Sequence, residues 1–419
     1  MVPRRRALLV SALLSASALL GPGAAPGSTA GAPDVRLLGV TTLPSGMRYA
    51  GTTVGGLSGI DRDPRRGDYV LISNDRSELA PARFYTARIT LDGGAPDVAL
   101  TGRHILLRDD AMPYPSLTSW LSEPCRQGEA VCERRATVDP EDVRVDPRSG
   151  TVWWSQEGDR QTGPVPFLSD PSIRRAERDG GFAGQMRVPE MLRVDAGPRG
   201  PRANLGLEAF TFAACGRLVT SVVEGPLLQD GPEPTATEGA LARLSVQSRG
   251  GTLRAQYAYP MDAVDGTPGA NGVAAILEDP RRPGRYLVLE RAVVLGAGTR
   301  VRLYAVTLPA VPGARGAAGE WPGPPATDIA GIDALADLAP GRTLRPLHKE
   351  LVADLADLGV EPGIVEGMTW GPGLPTGERS LLLVADDNFA LRAIPGVAQV
   401  SQLIALAVDD ASAPPAASC

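Results

Sequence analysis

The chain has 419 residues, with 48 Asp and Glu against 42 Lys and Arg, two His, four Cys, 49 Gly and 39 Pro. A formal charge of -6 makes nucleic acid an unfavourable partner. So many Gly and Pro fit short strands joined by turns, and a chain this long holds one domain most readily as a repeat architecture.

Residues 1–30 read as a secretory signal, with Arg4, Arg5 and Arg6 as the charged end, residues 7–20 as the apolar stretch and small residues up to Ala30. The stretch is too short for a stable membrane span, and Arg4 to Leu9 resembles a twin-arginine export signal. Its removal takes three Arg and no acid, moving the charge from -6 to -9. The expected product is a secreted, extracytoplasmic monomer with no membrane span, residues 31–419 forming a single domain. Disulfides suit that setting: Cys125 with Cys132 is the expected pair and Cys215 with Cys419 a second, though four cysteines allow three connectivities.

A hairpin pattern then recurs five times. It opens at Ser58-Gly59-Ile60, Glu141-Asp142-Val143, Glu208-Ala209-Phe210, Asn271-Gly272-Val273 and Glu366-Gly367-Met368. Each opening leads through an apolar run, a turn and a second apolar run that ends in an acid: Asp75, Glu157, Glu224, Glu290 and the pair Asp386/Asp387. Residues equidistant from a turn face each other, which sets Glu141 opposite Glu157 about Ser149, and Glu208 opposite Glu224 about Gly216. Like charges so placed destabilise a sheet unless a cation, a proton or an Arg intervenes.

After each hairpin comes another alternating segment, at 84–89, 191–194, 240–246, 301–306 and 403–408, so the unit is hairpin, loop, outer strand. Such units predict an all-β fold, a β-propeller, with residues 35–41 joining the C-terminal strands to close the ring. Five blades are readable, and a sixth is expected from poorly patterned segments such as 342–347 together with the terminal strands. Residues 331–358 have helical spacing. The long segments 109–139, 158–188 and 310–365 are expected as loops on the acidic face. Of Trp153 and Trp154, alternating along a strand, one is expected in the core, and His104 and Lys349 on the surface.

Several chemistries lack their residues. Lys349 is the sole lysine and has neither a Gly-rich loop nor a Ser three positions before it, which excludes a P-loop and a Ser-x-x-Lys nucleophile. Residues 56–60 miss the last glycine of a nucleophile elbow, two histidines leave little for a triad or a zinc site, and no segment matches an EF-hand. The convergent acids remain. Carboxylates with Asn74, Asn271 and Asn388 nearby suit calcium, and Arg76 and Arg291, each following a terminal acid, are placed to hold a phosphate oxygen.

Residues 56–60, 72–76, 81–85, 204–208, 287–291, 366–370 and 386–389 together resemble the phytase-like family described as having esterase-like activity. The resemblance implies a β-propeller and calcium-assisted hydrolysis of a small-molecule ester or phosphoester. Asp142 and Ala209 depart from it, standing where the pattern commonly has Gly. The expected metal ligands are Glu141, Glu157, Glu208, Glu224, Glu290, Glu366, Asp387 and Asp75, with Glu208, Glu290, Arg291 and Arg76 as catalytic residues. The alternative is a non-catalytic propeller that binds a protein or glycan through its long loops, calcium being purely structural.

Overall fold

Alternating apolar residues build each blade, and burial on both faces makes second strands such as Tyr69–Ser73 and Arg379–Asp386 nearly continuous apolar runs. A computed structural model describes residues 34–92, 94–122, 135–162, 166–264, 269–309, 324–391 and 393–409. Among these, five four-stranded antiparallel sheets form the blades of a β-propeller.

From the inside outward, the first blade is Leu57–Arg62, Tyr69–Ser73, Arg83–Thr90 and Asp97–Ile105. The second is Pro140–Val145, Val152–Gln156, Ser172–Ala176 and Phe182–Arg187. The third is Ala209–Ala213, Leu218–Val222, Ala240–Ser248 and Leu253–Met261. The fourth is Gly269–Glu278, Arg285–Val294, Gly298–Thr307 and Lys349–Asp354. The fifth is Ile364–Gly373, Arg379–Asp386 and Gln402–Asp409, with the N-terminal strand Asp34–Thr42 outermost. Pairing of Val35 with Val408 and Val40 with Ile404 thus closes the ring between distant parts of the chain.

Period-2 alternation sends successive residues to opposite neighbours. Val70 and Ile72 pack with Val143 and Trp154 of the second blade, whereas Tyr69 and Leu71 pack with Leu382 and Val384 of the fifth. Trp153 faces the third blade with Phe210 and Val219, so both tryptophans are core. The third and fourth blades share Leu244, Val273 and Val288, and the fourth and fifth share Leu289, Leu303, Met368 and Leu383. Gly367 permits close approach at the axis, since a Cβ there would lie 2.8 Å from the Ser58 carbonyl oxygen.

Several expectations are corrected. The segment 342–347 forms no strand, and the terminal strands complete the fifth blade, so the described residues hold five blades and not six. Residues 191–194 are not the third strand of the second blade: a 3-10 turn, Glu190–Leu192, lies there, and Ser172–Ala176 takes the place, inside a segment read as loop. The helical spacing at 331–358 yields only the 3-10 turn Leu335–Asp337 and the strand Lys349–Asp354, because sheet pairing outweighs local propensity. His104 is partly buried, its ring stacked on Phe84 at 4.9 Å. Cys125, Cys132 and Cys419 lie outside the described residues, and with them the expected pairings.

Arg144, 2 % exposed, ties the blades together. Its Nε donates to Phe210 O (2.8 Å), one terminal nitrogen to Met368 O (2.8 Å) and Ile60 O (3.2 Å), and the other to Ile276 O (3.2 Å) and Asp142 Oδ2 (3.0 Å). The four carbonyls belong to the inner strands of the other four blades. Arg144→Ala is expected to reduce unfolding free energy by about 3 kcal/mol or more, since it strands Asp142 and four buried carbonyls. Arg144→Lys is expected to fall between, having fewer donors. Denaturant unfolding checks both.

Candidate functional site

Inner strands start, and second strands end, at the same mouth of the ring, so residues near those positions converge from separate blades. Asp139 and Glu141 come from the start of the second blade and Glu157 from the end of its first hairpin; Glu208 and Glu224 come from the matching places in the third blade, and Glu366 from the fifth. With Arg76 and Arg291 they line a cavity of about 670 Å³, a size suited to a small molecule. Among the described residues, Asp139, Glu141 and Glu157 bring carboxylate oxygens within 4.8 Å of one another, and Glu157, Glu208 and Glu224 do the same. Glu157 belongs to both groups.

Burial first, and neighbouring carboxylates second, hold Glu141, Glu157 and Glu208 well above the usual carboxylate range. Burial pushes Glu366 up to about 8 although Arg291 opposes the shift. Arg291 bonds Glu224 at 2.6 Å and also Glu366; Arg76 bridges Asp139, at 3.2 Å, and Asp159. Each guanidinium therefore cross-links two acids.

The remaining expected residues are placed differently. Asp75 lines the cavity, but its carboxylate accepts the backbone N–H groups of Glu78, Leu79 and Ala80 and pairs with Arg83 at 2.7 Å, as a turn cap does. Asp387 accepts the N–H of Gly56 at 2.9 Å and of Phe389 at 3.0 Å. Glu290 faces away from the cavity, because adjacent strand residues alternate and its neighbour Arg291 faces in. It accepts from Tyr259 Oη (2.8 Å), the Asp262 N–H (2.9 Å) and Asn271 (2.9 Å), and pairs with Lys349. Lys349, expected on the surface, lies between the rings of Tyr259 and Tyr304, with Asp262 at 2.7 Å. Asn74 donates to Asp386 at 2.9 Å, and Asn388 lines the cavity.

The acids predicted to face each other do not. A bulge between Pro140 and Val143 shifts the register, and the Glu157 N–H bonds the Asp139 carbonyl; likewise the Glu224 N–H bonds Gly206. Sequence reasoning missed Asp139 by starting the strand at Glu141, although an acid two residues earlier falls on the same side of an extended chain.

A family model, phytase-like, described as "Esterase-like activity of phytase", matches residues 52–389. No curated protein matches. Among solved structures, an alpha-L-arabinofuranosidase from Lactobacillus brevis is 12 % identical with a TM-score of 0.43, covering 84 % of this chain and 91 % of that one. A thermostable family-43 glycoside hydrolase is 11 % identical at a TM-score of 0.44, covering 88 % and 96 %. The periplasmic gluconolactonase of Pseudomonas aeruginosa is 14 % identical at a TM-score of 0.34, covering 86 % and 90 %.

The placement of Glu290 separates it from the acids of the cavity. Glu290→Gln is expected to destabilise the fold by about 2 kcal/mol, by weakening a buried charged hydrogen bond to Lys349. Thermal unfolding of the variant checks this.

Proposed function

The chain belongs to the phytase-like family, and from that premise we propose that it is an exported, calcium-dependent hydrolase that cleaves a small-molecule ester or phosphoester in the acidic cavity. One observation carries the reading: eight carboxylates line one cavity, Asp75 and Glu78 together with Asp139, Glu141, Glu157, Glu208, Glu224 and Glu366, with only Arg76 and Arg291 as cations among its described residues. That imbalance calls for a cation, and an all-oxygen donor set from several strands fits calcium, which accepts six to eight oxygens in loose geometry. One oxygen of Glu366 is buried without a hydrogen-bond partner, in keeping with a donor reserved for another group.

Asp139, Glu141, Glu157, Glu208 and Glu224, in two groups that share Glu157, would hold the calcium together with the unpartnered oxygen of Glu366. Bound calcium would neutralise the carboxylates and polarise a phosphoryl or carbonyl oxygen of the substrate. Arg291, fixed between Glu224 and Glu366, and Arg76, fixed between Asp139 and Asp159, would set positive charge against the substrate anion. Carboxylate oxygens of Glu141 and Glu208 would orient the attacking water. Glu290 would act indirectly, by anchoring the strand that carries Arg291. The signal-like residues 1–30 support export, toward compartments where weak calcium sites suffice.

Chelation is expected to lower the melting temperature, and calcium to restore about 2.7 kcal/mol at a hundredfold excess over its dissociation constant. Glu208→Gln is expected to weaken calcium binding and slow turnover together. The assay is a panel of phosphate and acyl esters with and without calcium. A protein that binds calcium yet hydrolyses none of them would be the non-catalytic propeller.

A further inference from the structure

Above its carboxylates the cavity changes chemistry. Leu79, Leu205, Val293, Phe389, Leu391 and Ile394, all more exposed than the buried carboxylates of the floor, form the apolar part of its outer lining, which also holds Glu78 and Asn204. Leu79 is 52 % exposed and Leu391 66 % exposed, so these side chains are not core residues that happen to border a space. Exposed apolar residues are ordinary when scattered, but a collar of them around one cavity marks a binding surface.

Phe389 is held there against backbone preference. Asn388, Phe389 and Ala390 have φ of 45°, 50° and 52°, a left-handed run that side-chain-bearing residues disfavour. Asp387 secures it by accepting the Phe389 and Gly56 N–H groups, and the ring lies so close to Gly56 that a Cβ there would be 2.5 Å from it. The ring stays half-buried at the mouth instead of entering a blade interface.

The cations argue in the same direction. Among the described lining residues only Arg76 and Arg291 are positive, and each is already shared between two carboxylates. Among the described lining residues, a substrate bearing many phosphates would meet no guanidinium free of a carboxylate to hold its further charges.

We infer that the substrate is an amphiphile: a single ester or phosphoester group seated at the carboxylate floor, with an aryl or alkyl alcohol part against the collar of Leu79, Phe389 and Leu391. The inference rests on the hydrolytic reading of the cavity and names the substrate class for it. The calcium-loaded protein is assayed on glycerol phosphate, inositol hexakisphosphate, phenyl phosphate and hexyl phosphate, with the matching acetate esters of glycerol, phenol and hexanol. Binding of methyl-, phenyl- and hexylphosphonate is measured by calorimetry, independently of turnover. Phenyl and hexyl compounds are expected to exceed the hydrophilic ones by roughly tenfold or more in kcat/KM and in affinity. In Phe389→Ala/Leu391→Ser, with an unchanged melting temperature, that ratio is expected to fall about fivefold or more. Equal or reversed preference, or a ratio unmoved in the folded double variant, overturns the inference while leaving the hydrolase reading standing. If no compound is bound or cleaved, both fall together.

Discussion

Five inner strands packed side by side around an axis bring backbone carbonyls into a space that water must fill or a donor must satisfy. Arg144 supplies the donor. A planar guanidinium with five N–H groups can address several directions at once, which an ammonium on a flexible stem cannot do with the same geometry. Its bonds to Ile60, Phe210, Ile276 and Met368 set the spacing of the other four blades from a residue of the second. Asp142, at 3.0 Å, balances the charge and accepts the Phe210 N–H, coupling the second blade to the third. Departing from glycine at Asp142 therefore serves the axis, not the mouth.

Once the inner strands are fixed, the acidic mouth follows. Glu141 lies three residues before Arg144 on the same strand, so the plug that satisfies the axis also sets the height of the carboxylates above it. A ring of this kind brings like charges from several blades together, and burial raises the penalty because the charges lose water. The protein offsets part of it with Arg76 and Arg291, and the remaining carboxylates lie close enough together to accept a metal ion. The same tension recurs away from the mouth, where Arg243 is fully buried against Asp230 and Arg83 against Asp75. In each case a bidentate or multiply bonded arginine stands in the interior, consistent with its weak hydration and fixed fork.

The fifth blade has two tasks. Its outer strand comes from residues 34–42 and its inner three from residues 364–409, so closing the ring requires a non-local pairing, which carries a high loop-closure entropy. Its Asp386–Asp387 corner meanwhile reaches across to the first blade through Asn74 and Gly56. The blade that closes the ring thus also holds the rim of the cavity, through separate contacts.

Much of this was legible in the sequence, for a local reason. Alternation, turn residues and repeated acids are properties of neighbouring residues, so the hairpins, the propeller and the convergence of Glu141, Glu157, Glu208, Glu224 and Glu366 could be read from spacing alone. What spacing could not supply is register across a bulge and the direction of a side chain at the end of a strand. One residue of slip changes which side chain faces inward, and so Asp139 joined the cavity while Glu290 left it for Lys349. Nor could it show that Asp75 and Asp387 are consumed by backbone N–H groups, that Arg144 fills the axis, or that 342–347 adds no blade. The caps at Asp75 and Asp387 depend on how their loops turn, and the other outcomes on which distant strand arrives alongside, which only the closed ring decides, because each blade's inner face is completed by its neighbours.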